Sequence, residues 1–266
     1  MKLNIVPAKT GVTWVKLGIQ TFFKQPLALG GLFFMFMAVV SIAGIIPVIG
    51  TVIALALLPA ATLGLMVATL QAVQGKFPMP SVLASAFKAG QDRMRAMLVL
   101  GAMYAVGFML IMGITTLFDD GQFAKMYLLG GKLDKAVFEQ PSFQMAAWVG
   151  MGLYLPLSML FWHAPALVHW HGVSPSKALF FSMVACLRNL GAYTVYAITW
   201  MAVFTLGALV VVSALSILGL GNAAGVLMVP MALTMAAMLF SSIYFTFRDS
   251  FIHADPIDPT APDNGV

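Results

Sequence analysis

Residues 174–190 read Ser174-Pro-Ser-Lys-Ala-Leu-Phe-Phe-Ser-Met-Val-Ala-Cys-Leu-Arg-Asn-Leu190, and the interpretation of the whole chain starts from this stretch. Ser174 followed by Pro175 is typical of a helix start, because serine caps the first turn and proline lacks an N–H that this turn leaves unpaired anyway. The stretch is too short and too charged near its ends to cross a bilayer, yet too apolar between them for a loop. It therefore predicts a helix at the membrane surface, just before the apolar run that begins at Gly191.

Two earlier stretches, near residues 10–25 and 81–95, have the same character, and each also leads into an apolar run. In the first, polar residues recur at helical steps of three or four, the opposite side is apolar, and Trp14 suits the headgroup level. A helix lying in the interface and a solvated helix packed on other protein both fit this periodicity. In the second, the polar residues form one stripe, made of Ser81, Ser85, Lys88, Asp92 and Arg95.

The long apolar runs set the class of protein. Hydrophobic residues make up 61% of the chain and charged residues 9%, whereas about 25% of the residues of a soluble domain are charged. Each run holds one or two segments near the ~20 residues that a helix needs to span hydrocarbon. The predicted fold class is an all-α polytopic membrane protein with six transmembrane helices in three hairpins, each hairpin preceded by a cytoplasmic amphipathic helix at the interface. The six predicted spans are Leu27–Ile46, Thr51–Val73, Ala96–Phe118, Phe143–His169, Leu190–Leu218 and Val226–Phe247.

The order of surface helix, span, connection and span occurs three times, which predicts a single transmembrane domain over residues 1–247. Its repeat units are about 10–73, 81–170 and 174–247. Turns are expected at 47–50 and 219–225, where proline and glycine punctuate the helices, and a polar insertion at 119–140 connects the middle hairpin. Residues 248–266 are rich in Asp and Pro, which predicts a flexible cytoplasmic tail. Kinks are expected at Pro59, Pro156 and Pro230.

Lys and Arg are distributed unevenly between the two sides of this layout. Of the 14 basic residues, only Lys125, Lys132 and Lys135 fall opposite the N-terminus, which by the positive-inside rule predicts cytoplasmic N- and C-termini in a bacterial inner membrane. Because the cations are spread over separate loops, nucleic acid is not an expected partner. The expected partners are membrane lipids with anionic headgroups and, in addition, another membrane protein. The candidate contacts with anionic lipid are Lys9, Lys16, Lys24, Lys88, Arg93, Arg95, Lys177 and Arg188.

Groups that would carry out chemistry within the membrane are scarce. No carboxylate, lysine or arginine lies at membrane depth, where ion-coupled transporters and proton pumps need ionisable groups. The chain also has no phosphate-binding glycine loop, nucleophile elbow or paired Cys-x-x-Cys motif. We therefore predict no enzymatic activity, no metal and no cofactor. Cys186 is expected to be a small buried apolar residue, and Ala60, Gly64 and Ala68 form a stripe that predicts close packing of another helix.

Three histidines remain as candidates for chemistry. His163, His169 and His171 are six and two residues apart, so on a helix they point in different directions and do not favour one metal or haem site. They lie near the predicted cytoplasmic boundary, where histidine is stable with one edge in water. The expectation is that they are interface residues.

The pattern Ser174-Pro-x-x-Ala-Leu, followed by Ser182 and Arg188-Asn189 ahead of a span, resembles the interface-helix motif of several bacterial membrane protein families of unknown function. The layout is also similar to the membrane portion of some glycerophosphodiester phosphodiesterases. The six-span plan as a whole resembles a proteobacterial family of inner-membrane proteins. These resemblances imply a fold and a location. They do not imply phosphodiesterase activity, because the chain shows no soluble phosphodiesterase domain.

Two functions from different classes fit these observations. The leading one is a non-catalytic accessory protein that organises lipid or a membrane partner through its cytoplasmic surface helices. The alternative is a transporter or channel for a lipid-like or uncharged small solute, with a path lined by the kinked spans. A continuous polar cavity reaching mid-membrane would favour transport, and a sealed apolar bundle would favour the accessory role.

Overall fold

The structure is a computed structural model that describes residues 2–46, 48–130, 134–220 and 224–252. Parts of the two predicted turns, the Lys132 site, His253 and the rest of the tail lie outside these ranges. A 3-10 helix spans Pro80–Ala84. The elements are β1 (Lys2–Leu3), α1 (Thr10–Lys24), α2 (Pro26–Ala43), α3 (Ile49–Val73), α4 (Ser85–Lys88), α5 (Gln91–Asp119), α6 (Gln122–Leu129), α7 (Lys135–Phe138), α8 (Pro141–Phe161), α9 (Ala164–His171), α10 (Pro175–Arg188), α11 (Leu190–Ile217), α12 (Ala224–Ser250) and β2 (Phe251–Ile252).

Six helical segments of the described residues are long and apolar enough to cross a membrane. They are α2, α3, α5, the pair α8 and α9, α11, and α12 from Gly225 onward. This confirms the all-α polytopic class and the number of spans. The helices continue through Pro59, Pro156 and Pro230, and the fourth segment is interrupted at Trp162–His163, between α8 and α9.

The short helices end before the spans that follow them, although not always where the sequence indicated. Gln25 separates α1 from α2, and Asn189 separates α10 from α11. The single helix predicted over 81–95 is wrong, because the helical structure breaks at Ala89–Gly90, where Gly90 has a φ of +97° that suits glycine. Helix α5 already starts at Gln91, so Arg93 and Arg95 lie in the first turns of a spanning segment.

Helix α1 is packed into the bundle by its apolar side. Trp14 is 0% exposed, and its ring lies 5.3 Å from that of Tyr193 on α11. A Cβ on Gly11 would lie 2.6 Å from the backbone nitrogen of Tyr196, and one on Gly18 would lie 2.8 Å from the Cα of Ser242 on α12. Of the two arrangements that the sequence allowed for α1, packing against protein is therefore the one seen on this side, and Trp14 is a core residue instead of a headgroup-level residue.

The two ends of the described chain are joined at the same end of the bundle. Strand β1 pairs antiparallel with β2, and the backbone N–H of Asn4 donates to the carbonyl of Ser250 at 2.9 Å. The buried Asn189 side chain accepts from the N–H of Val6 and donates to the carbonyl of Asn4. The prediction of a flexible tail from residue 248 is thus wrong for 248–252: the helix continues to Ser250, and Phe251 is 2% exposed. Apolar burial and paired backbone groups hold this segment in place.

The opposite end of the bundle is held by the 119–140 insertion. The buried carboxylate of Asp119 accepts the backbone N–H groups of Gly121 and Phe123, which fixes the start of α6. Thr51 at the start of α3 donates to the carbonyl of Leu128 on α6. Helix α6 is therefore tied to the end of the bundle at which α3 begins.

The predicted small-residue stripe lies inside the bundle. Ala60, Gly64 and Ala68 of α3 are all buried. A Cβ on Gly64 would lie 2.8 Å from the Cα of Leu83 in the 3-10 helix, so this approach needs glycine. The neighbour at Gly64 is a short connecting helix of the same chain.

Candidate functional site

The eight candidate lipid contacts lie on segments that the fold brings to one end of the bundle. Three links tie these segments together: Gln25 donates to the carbonyl of Lys76 after α3, α5 packs against α9, and Asn189 bridges to the N-terminal segment. At this end α2, α5 and α11 begin and α3, α9 and α12 finish. All eight side chains are exposed except that of Arg93, which is half-buried. We call this end the basic end.

A cluster of polar and aromatic side chains lies just inside the basic end, where α1, α8, α9, α10, α11 and α12 meet. The Trp14 indole donates to the Asp249 carboxylate at 2.9 Å, and Arg248 pairs with the same carboxylate at 2.8 Å. Asp249 falls within the predicted flexible tail. Its partner Trp14 gives it a structural role that links α1 to the end of α12.

His163 occupies the break between α8 and α9 and is 0% exposed. Its Nε2 is hydrogen-bonded to the Tyr193 hydroxyl at 2.5 Å, its ring packs against Phe247 and Phe251, and its Nδ1 has no hydrogen-bond partner among the described residues. The prediction of an interface residue with a wet edge is therefore wrong for His163. The surrounding aromatic rings exclude water from it.

Hydroxyl groups of neighbouring helices organise this cluster. The Ser182 hydroxyl on α10 donates to the carbonyl of Met159 and accepts the backbone N–H of His163. On α12, the Ser242 hydroxyl donates to the Leu239 carbonyl and accepts from Tyr196 at 2.6 Å and Trp200 at 3.3 Å. Each hydroxyl thus donates to a helix carbonyl and also accepts: Ser182 accepts from a backbone N–H, and Ser242 accepts from two aromatic side chains.

A groove of about 450 Å³ opens beside this cluster. One wall is the end of α8 with the break that follows it, from Leu155 to Trp162, and the other is α11, from Leu190 to Phe204. Leu239 of α12 and Cys186 of α10 complete the groove. Helix α8 packs chiefly on α5 and α10, and α11 packs chiefly on α1 and α12. The groove therefore lies between two helices whose main packing partners differ.

Cys186 is the chain's single cysteine, and it is 2% exposed. Burial raises the pKa of its thiol to about 12, while a hydrogen bond with Tyr193 acts in the opposite direction. Its Sγ lies 3.8 Å from the carbonyl oxygen of Met159. The thiol is thus held in its neutral form, which is unreactive as a nucleophile or metal ligand. Among the described residues, no three His, Cys, Asp or Glu side chains are grouped so that they could hold a metal ion.

Sequence reasoning missed Tyr193, Tyr196 and Asp249. The Tyr-x-x-Tyr spacing at the start of α11 places both hydroxyls on one side of a helix, which was a usable signal. No comparable signal marked Asp249, because its role depends on Trp14, 235 positions away in the chain.

No family model matches the chain, and no solved structure matches it. The chain is 37% identical over 265 residues to the probable inner membrane protein BTH_II0599 of Burkholderia thailandensis, and the alignment covers 98% of each protein. The similarity to glycerophosphodiester phosphodiesterases is not shown by these comparisons. With six segments able to cross a membrane and a relative matched over its whole length, the chain belongs to this family of inner-membrane proteins.

Proposed function

We propose that the protein is a non-catalytic accessory protein of the inner membrane that organises anionic lipid through the basic end. The observation that supports this most is the placement of the eight basic side chains, which come from three separate stretches of sequence and lie on segments that the fold brings to one end. A basic residue close to an anionic membrane contributes about 1 kcal/mol of attraction before screening. An acidic surface of a partner membrane protein would be attracted in the same way.

In this proposal the basic end faces the cytoplasm, with both termini on that side. The uneven distribution of Lys and Arg supports this orientation. The three-hairpin description is part of the proposal too: α1, the segment 80–88 and α10 each precede a pair of spans. Their exposed basic side chains would lie beside lipid headgroups.

Native mass spectrometry of the purified protein tests the proposal. Changing Lys88 and Arg95 to Gln removes two exposed charges from the basic end, and changing Lys125 and Lys135 to Gln removes two exposed charges from the other end as a matched control. About 2 kcal/mol of lost attraction corresponds to about 30-fold weaker retention of phosphatidylglycerol, with salt reducing the effect. Retention that is equal in the two variants would contradict the proposal.

A second candidate function is movement of a lipid-like or uncharged solute, favoured by two further cavities along α8. One, of about 130 Å³, is lined by Pro59, Thr62, Tyr104 and Tyr154, and another, of about 320 Å³, reaches from Tyr154 to α6. Both contain tyrosine hydroxyls and no charged side chain. Proteoliposomes with a fluorescent phosphatidylcholine in both leaflets test this function: dithionite quenching beyond half of the signal supports it, and quenching that stops at half, as in protein-free vesicles, contradicts it.

A further inference from the structure

We propose that the groove between α8 and α11 binds a single acyl chain of a membrane phospholipid, whose headgroup lies at the basic end. This site rests on the proposed function, because it names a place where lipid is held. It differs from the basic residues themselves, which would attract any anionic headgroup from outside. The groove would hold one particular lipid by its tail.

The polar groups in the groove walls are already paired within the protein. Each polar side chain that lines the groove has a hydrogen-bond partner inside the protein: the Trp162 indole donates to Thr246, Thr194 donates to the Leu190 carbonyl, and Ser158 donates to the Leu155 carbonyl. Tyr193, Tyr196, Trp200 and Cys186 have the partners described above. A polar solute would find few free partners and would lose its own hydrogen bonds to water, which is costly. A hydrocarbon chain has no such bonds to lose.

The groove is long and narrow. Leu190 and Phe204 are 14 positions apart on α11, so the α11 wall of the groove extends about 21 Å along that helix, and the opposite wall, Leu155 to Trp162, extends about half as far. A volume of about 450 Å³ spread over that length makes a narrow groove, with room for a slender chain and not for a bulky group. A helix of the same length would fill about 1,600 Å³, even at the lower limit of its usual diameter. The groove can therefore take an acyl chain lengthwise and is too narrow to enclose a transmembrane helix of a partner.

One end of the groove lies beside a basic residue. Arg188 is exposed and lies in sequence between Cys186 and Leu190, which both line the groove. The groove runs from this end toward Phe204, deeper in the spanning helix, and exceeds the ~15 Å that one leaflet contributes to a 30 Å hydrocarbon core. A phospholipid with its tail in the groove would therefore have its phosphate near Arg188. An anionic headgroup is favoured there.

Photolabelling tests the site in nanodiscs of phosphatidylcholine that contain phosphatidylglycerol with a diazirine near the end of one chain. After illumination, mass spectrometry should find adducts on residues 155–162 and 190–204. Ala197→Trp puts a large side chain into the groove, and Ala202→Trp makes the same change on an exposed part of α11 outside it. Overfilling that costs about 1.4 kcal/mol corresponds to about tenfold fewer groove adducts with Ala197→Trp, while Ala202→Trp leaves them unchanged.

Two variants keep the test decisive. If Ala197→Trp does not fold, Thr194→Phe fills the same groove from another lining position. Adducts that are unaffected by filling the groove, or that are spread evenly over the exposed faces of the other spans, would overturn the proposal. The charge variants at Lys88 and Arg95 test the proposed function separately. If only the groove site is wrong, these variants still lower lipid retention and no groove adducts form. If only the proposed function is wrong, groove adducts form and these variants retain lipid like the unmodified protein.

Discussion

Replacing Gly18 by Ala tests whether α1 belongs to the bundle. The added Cβ would lie 2.8 Å from the Cα and 3.0 Å from the backbone nitrogen of Ser242, and closer still to its Cβ. These are atoms that no rotamer change can move, so α1 and α12 have to separate. Gly31 on α2 is the matched control, because an added Cβ there meets nothing within 4 Å.

The magnitude follows from two opposing effects. Alanine is the better helix former by about 1 kcal/mol at both positions, whereas forced overpacking costs about 1–3 kcal/mol at Gly18 alone. We therefore expect Gly18→Ala to be about 1–3 kcal/mol less stable than Gly31→Ala. At about 2–4 °C per kcal/mol, the two midpoints of thermal unfolding should differ by about 2–12 °C.

Cys186 provides the assay, since a dye that fluoresces on reaction with thiols will report unfolding when this buried residue becomes accessible. Gly31→Ala should unfold at or slightly above the temperature of the unmodified protein, and Gly18→Ala clearly below the temperature of Gly31→Ala. Equal midpoints for the two variants would refute the packing of α1 on α12. In that case α1 would lie detached on the membrane surface.

Three other predictions concern single sites. In the folded protein the alkylation rate of Cys186 should keep rising through pH 10, because burial raises its pKa to about 12 and the thiolate fraction is still increasing there. In detergent-denatured protein the rate should level off above about pH 9. Equal pH profiles for the two states would contradict the burial of Cys186. Asn189→Ala should destabilise the protein by about 1–3 kcal/mol for each partner left unpaired, because the Asn189 side chain hydrogen-bonds the backbone of both Val6 and Asn4. An unchanged thermal midpoint would contradict this prediction. Orientation can be tested in a background with Cys186 replaced by Ala. A cysteine introduced at Lys125 should react with impermeant maleimide from outside intact cells, and one introduced at Lys177 should react only after lysis. Reaction of both from the same side would contradict the orientation.

The membrane class was predictable because hydrocarbon imposes a simple length and polarity rule on each span. The surface helices were harder, because an amphipathic pattern shows that one side of a helix is apolar and does not show what covers that side. Lipid and protein are equally apolar partners for Val15 and Trp14, and in α1 the partner is protein. The missed break at Gly90 has a similar origin: an isolated glycine within a helical pattern does not end a helix unless the backbone needs a positive φ there.

The aromatic and polar cluster was the least predictable part of the molecule. Its hydrogen bonds join residues far apart in sequence, such as Trp14 with Asp249, Trp162 with Thr246 and Asn4 with Asn189. Local composition places Asp249 beside a Pro-rich tail, which indicates disorder, but the strand pairing of the two chain ends overrides that tendency. His163 is interior for the same reason, since Phe251 from the end of the chain covers its ring.

Electron paramagnetic resonance of spin-labelled lipids in proteoliposomes tests the central claim most directly, because it measures lipid selectivity in a bilayer. We expect the fraction of phosphatidylglycerol that is immobilised by the protein to exceed that of phosphatidylcholine at low salt. This excess should fall in the variant with Lys88 and Arg95 changed to Gln and remain in the variant with Lys125 and Lys135 changed to Gln. Equal immobilised fractions of the two lipids next to the unmodified protein would contradict the account.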